Sequence, residues 1–174
     1  MQLGYLQRKI ATETIYLLMS FLRKLSTWFA RLLDSNGIGG NYISPDGAVA
    51  RFVFESRKIK ADGTPRPAAF EPERHPEKTI FETSVCGLNG VSNSRLWKLG
   101  KTIRSDKQAI AAFEIKVEKV NAAGLQCHAA PESHPVDYPE HGVIVGWDED
   151  KSKRIAAQQR LAATIARTLR PVSD

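Results

Sequence analysis

The spacing of apolar positions changes several times along the chain, and each change marks an element. "TETIYLLMSFLRKLSTWFARLLDSNGIGG" repeats at helical spacing: Ile15, Leu18, Leu22, Leu25, Phe29 and Leu32 recur every three or four residues, and Leu17, Phe21, Trp28 and Leu33 widen the stripe. Arg23, Lys24 and Arg31 interrupt the run, which predicts an amphipathic helix started near Thr12 and stopped by the glycines of "SNGIGG". "AVARFVFESRKI" alternates instead, with Ala50, Phe52 and Phe54 set against Val49, Arg51 and Val53, as a strand does. "KADGTPRPAAFEPERHPEKT" holds four prolines and a glycine, so it predicts an extended loop of twenty residues with Phe70 as its anchor to the core.

A second strand is predicted from Ile80 to Cys86, then a helix over "SNSRLWKLGKTIR" capped by Ser92 or Ser94, with Leu96, Trp97 and Leu99 inward. Phe113, Ile115 and Val117 alternate with Glu114, Lys116 and Glu118 as a third strand, "VEKVNAAG" fits a short helix ended by Gly124, and "LQCHA" and "HGVIVGW" read as two more strands. "DEDKSKRIAAQQRLAATIARTLRP" predicts a C-terminal helix with a buried stripe of Ile155, Leu161, Ile165 and Leu169, ended by Pro171. The order is too irregular for repeated βαβ units. It predicts an α+β fold: a small, mostly antiparallel sheet with packed helices over residues 41–174, preceded by an N-terminal amphipathic helix and glycine-rich hinge over 1–40.

The composition is that of a globular chain, 42% hydrophobic and 25% charged, and the net charge of +6 is spread among mixed signs. It favours acidic partners only mildly, and no nucleic-acid-binding module is recognisable. Cys86 and Cys127 are in no CxxC pair and point to a reduced, cytoplasmic setting. Arg23 and Lys24 would each cost about 2.5–3.5 kcal/mol at the centre of a membrane span. The N-terminal helix is therefore read as packing on its own domain, docking on a partner protein or a second copy, or lying on a membrane surface with Trp28 and Phe29 inserted.

Three of the four histidines fall in "CHAAPESHPVDYPEHGVIVGW". Cys127, His128, His134 and His141 have zinc-binding chemistry but the wrong spacing: adjacent Cys127 and His128 on a strand face opposite ways, and prolines separate the others. No metal or cofactor site follows from this. His141, at a strand start, is a candidate acid, base or loop-fixing residue, with Glu140 or Asp137 to orient it. Arg51, if inward, needs a partner, for which Glu82 and Glu114 are placed on other strands. No Walker loop, GxSxG elbow, HExxH or GxGxxG is present.

The series "RFVF … PAAFEPE … TSVCGLNG … RLWKLG … AAGLQC … HGVIVGW" resembles a family of small bacterial domains. These have an RFIF-like opening strand, a Pro-rich "AF.P" segment, an "LSVFR" strand and a histidine before the last strand. The resemblance covers residues 48 to about 168, leaves out the N-terminal helix, places His141 at the family's histidine and departs from the pattern at Cys86. It implies no particular activity, and it suggests genes beside bacterial defence systems, phage defence among them, or toxin systems. Arg51 and Ser84 with a later Glu or His also resemble, loosely, the grip of ADP-ribosyl-transferring enzymes on NAD, without their glycine-rich or tyrosine-bearing motifs.

The leading expectation is a non-catalytic interaction or accessory module, associating through Leu18, Phe21, Leu22, Leu25, Trp28, Phe29 and Leu32, with Phe70 on the long loop. The alternatives are a small enzyme using His141 with Arg51 and Ser84, NAD-related in one form, or a nucleic-acid or membrane-surface binder using the basic helix.

Overall fold

The computed structural model describes residues 42–75, 79–133 and 136–171. The N-terminal amphipathic segment, with Leu18, Phe21, Leu22, Leu25, Trp28, Phe29 and Leu32, lies outside the described residues, as does His134.

The strands are β1 (Ala48–Val53), β2 (Glu73–Arg74), β3 (Phe81–Gly87), β4 (Ala111–Lys116), β5 (Gln126–Ala129), β6 (His141–Val145) and β7 (Arg167–Leu169). The helices are α1 (Asn93–Thr102), α2 (Val117–Ala122) and α3 (Lys151–Ala163). The strands form one sheet in the order β5-β6-β3-β1-β4-β7, with β2 paired to the start of β3, and every pairing is antiparallel. This is the α+β arrangement expected from the alternating strands and scattered helices.

Both faces of the sheet are covered. On one face Val49, Val53, Val85, Phe113, Ile115 and Ile144 pack beneath Ala157 and Leu161 of α3 and a 3-10 turn at Pro67–Phe70. Phe70 is fully buried, with its ring centroid 6.2 Å from that of Phe113. It anchors the proline-rich loop in the core, where its ring is enclosed. Burying each such large side chain contributes about 1.5–3 kcal/mol. On the other face Ala50, Phe52, Cys86 and Ala112 meet Leu96, Trp97 and Leu99 of α1. Ser92 caps α1 by accepting from the Arg95 N–H. Gly124 ends α2 at φ +80°, a left-handed conformation that most side chains disfavour.

The C-terminal prediction needs correction. The helix stops at Ala163, and Arg167–Leu169 form an edge strand registered as Ala112↔Leu169 and Glu114↔Arg167. The outer edge of β4 would otherwise lack backbone partners, and the β-branched Thr164, Ile165 and Thr168 favour extended backbone over more helix. Arg167 also pairs with Glu114. The predicted stripe therefore divides. Leu161 is fully buried, Ile155 is 41% exposed, and Leu169 packs on the opposite face of the sheet. The buried face of α3 is small, made by Ala157, Gln158 and Leu161.

Candidate functional site

The site arises from a split in the sheet. β1 and β3 pair only at Val49↔Gly87 and Ala50↔Cys86. Beyond that point β1 stays with β4, while β3 stays with β6 and β2. Backbone carbonyls along the split need other donors. Arg51 supplies two: its Nη1 donates to Ser84 O at 2.8 Å and its Nε to Ala69 O at 3.2 Å. The Tyr138 hydroxyl donates to Val85 O at 3.4 Å.

A cleft of about 220 Å3 opens at the split, and Arg51, Ser84 and His141 all line it, together with Phe52, Glu132 and Tyr138. A smaller cavity of about 90 Å3 shares Arg51, Glu73 and Ser84, so the guanidinium borders both spaces.

Arg51 is half-buried and forms no ion pair among the described residues, so neither Glu82 nor Glu114 is its partner. Glu114 is paired with Arg167, and Glu82 lies 4.0 Å from His75. Two of the guanidinium nitrogens are fixed by carbonyls, and Nη2 has no protein partner among the described residues. Burial pulls the Arg51 pKa below its ordinary value, the charge of Glu73 opposes that shift, and the cation persists because a guanidinium starts so high.

His141 is buried at the start of β6, with Nδ1 2.6 Å from Ala130 O and 3.2 Å from Glu132 Oε1. Both partners are acceptors, so the hydrogen-bond network assigns the proton to Nδ1. Nε2 is then the lone-pair nitrogen of the neutral ring, and no described residue engages it. The Tyr138 ring lies 5.1 Å from the imidazole. Because Cys86 pairs with His141 and Ser84 with Val143, Ser84 and His141 lie on the same face of the sheet, two residues apart along the ladder.

The orienting carboxylate is thus Glu132, in place of Glu140 or Asp137. Glu140 is committed to Arg95 through bonds of 2.7 and 3.0 Å, and Asp137 gives its carbonyl to Arg95 at 2.9 Å. Glu132 and Tyr138 were not named from the sequence. They meet because the β5–β6 hairpin closes at a bridge between them, with Tyr138 N donating to Glu132 O at 2.8 Å. The ladder runs one residue past "LQCHA", with Ala130 N donating to His141 O at 2.9 Å.

Parity separates Cys127, which packs on the core, from His128, which is exposed beside Gln126. Among the described residues no group of three His, Cys, Asp or Glu could hold a metal ion, and no helix is long and apolar enough to cross a membrane. Burial raises both thiols, Cys86 and Cys127, to about 12, which disfavours the reactive thiolate at neutral pH. A broader groove of about 550 Å3 runs along α2 and β5, but its lining includes no Arg, Lys, Asp or Glu.

Comparison with protein-family models, with curated proteins and with solved structures finds no match for this chain.

Proposed function

We propose that the domain binds a small organic anion in the cleft between β1 and β3, with the anionic group on Arg51. One observation carries this reading: a guanidinium held by two backbone carbonyls, with no ion pair among the described residues, borders an open cleft. Such a group is preorganised, so a carboxylate or phosphate gains charge-assisted hydrogen bonds without paying to order the side chain. The cleft holds roughly seven water volumes at about 30 Å3 each. It falls below the roughly 300–1,000 Å3 of pockets that enclose drug-sized ligands, which favours a small molecule over a dinucleotide.

Calorimetric titration of the full chain with inorganic phosphate and with acetate tests the reading. Saturable binding of at least one anion is expected, weakened about tenfold or more in Arg51→Lys, because an ammonium cannot span both carbonyls and still present a fork. Absence of binding by wild type, or equal binding by a folded Arg51→Lys variant, overturns it.

The N-terminal helical pattern supports a separate role in association, through a partner or a second copy. Deleting residues 1–40 would then reduce the assembled mass in light scattering or lose a partner in pull-down; no change in either would end that role.

A further inference from the structure

We infer that the ligand carries a hydroxyl beside its anionic group, and that His141 Nε2 accepts the hydrogen bond from that hydroxyl. The ligand class is a short hydroxylated organic anion, a hydroxy acid or a small polyol phosphate. This rests on the anion-binding reading of the same cleft and adds its second point of recognition.

Nδ1 of His141 is committed to Ala130 O and Glu132 on the hairpin side of the ring. With the proton on Nδ1, the neutral ring offers only an acceptor at Nε2, and no described residue donates to it. The ring is otherwise enclosed, stacked at an angle on Tyr138 and set beside buried Cys86. A ligand that displaces water from this cleft and offers no donor leaves that nitrogen unpaired. A ligand hydroxyl satisfies it. Ser84 sits on the same face of the sheet, its hydroxyl without a hydrogen-bond partner among the described residues, and it can donate to the ligand's anionic oxygen or accept from a second hydroxyl. Arg51 on one wall and His141 on another therefore ask for an anion and a hydroxyl on one small skeleton. Glu132 is a positioning residue. It shares the Nδ1–H with Ala130 O and holds the tautomer that makes Nε2 an acceptor.

Two measurements on the wild-type full chain test this without a risk of misfolding. The first is nitrogen-15 NMR of the imidazole. The Nδ1–H tautomer is expected in the neutral ring, and an Nε2–H tautomer overturns the inference. The second compares matched ligands by calorimetry: glycerol 3-phosphate against propyl phosphate, and glycerate against propionate. The hydroxylated member of at least one pair is expected to bind about tenfold or more tightly. The gap should close in His141→Phe and persist in Glu132→Gln, whose amide oxygen still accepts from Nδ1. Equal affinities within both pairs, with binding still dependent on Arg51, overturn the hydroxyl contact and leave the anion site standing. Failure of all four ligands to bind overturns the anion site itself.

Discussion

Replacing Arg95 by methionine should reverse how the stability of this domain responds to pH. The Glu140 side chain is 4% exposed and that of Arg95 is 31% exposed, and two hydrogen bonds of 2.7 and 3.0 Å join them. Burial pushes the Glu140 pKa up, but the Arg95 hydrogen bonds, a backbone bond and the Arg95 charge outweigh it and hold the carboxyl below its ordinary value. Removing one member of a buried pair costs about 3–5 kcal/mol because the other is stranded. Arg95 is partly in water, so the low end applies, about 3 kcal/mol at pH 7, or roughly 6–12 °C in Tm for a chain of this size.

The sign of the pH effect follows from the two pKa shifts. In the wild type the folded pKa is depressed, so the Glu140 contribution is present above the unfolded value of about 4.3 and is lost as pH falls through the lower folded value. In Arg95→Met burial acts without its main opponent and the folded pKa rises above the unfolded one. Stability is then lost as pH rises above the unfolded value and recovered as it falls. Thermal melts of both proteins between pH 7 and pH 5 should show the Tm gap narrowing. Glu140→Gln should cost less than Arg95→Met at pH 7, since the charge it leaves unpaired, on Arg95, is partly in water and can still donate to the amide oxygen. A gap that stays constant across this range, or a loss below about 1 kcal/mol, would refute the reasoning. The loop from Asp137 to Glu140 delivers Tyr138 and His141, so the same variant should also weaken ligand binding in the cleft.

Three further outcomes follow from the packing. Gly142→Ala would set a Cβ 2.1 Å from Ile43 Cδ1 and 2.8 Å from His128 O, so urea unfolding should show a loss of about 1–3 kcal/mol; a neutral result would mean that the Tyr42–Ile43 segment does not cross β6 there. Leu161→Ala should cost about 2–5 kcal/mol and Ile155→Ala about 0.5 kcal/mol or less, whereas equal losses would restore the helical stripe predicted from the sequence. Cys86 and Cys127, raised to about 12 by burial, should ignore a thiol reagent at pH 8 and react once the chain is unfolded in guanidinium, so prompt reaction of the native protein would contradict their placement.

Strand alternation made β1, β3, β4 and β6 legible, because each carries one or two clear apolar faces. β7 was not legible: Leu169 continues a helical spacing from Leu161 and Ile165, and only the open edge of β4 draws Arg167–Leu169 into the sheet. Arg51 stood out as a charge in an apolar strand. Its partners did not, because they are the carbonyls of Ala69 and Ser84, and backbone carbonyls leave no mark on side-chain periodicity. His141 stood out by position, while Glu132 was hidden in a proline-punctuated hairpin whose register depends on the turn. Nothing in the sequence marks where β1 and β3 part, and that parting makes the cleft.

The most direct test of the anion site is a chemical-shift titration of the nitrogen-15-labelled full chain with glycerol 3-phosphate. Saturable shifts are expected, centred on the backbone amides of Arg51, Ala69, Ser84 and Glu132 and on the His141 ring, and absent in Arg51→Lys. Shifts centred instead on the groove along α2 and β5, or none at millimolar ligand, would contradict it.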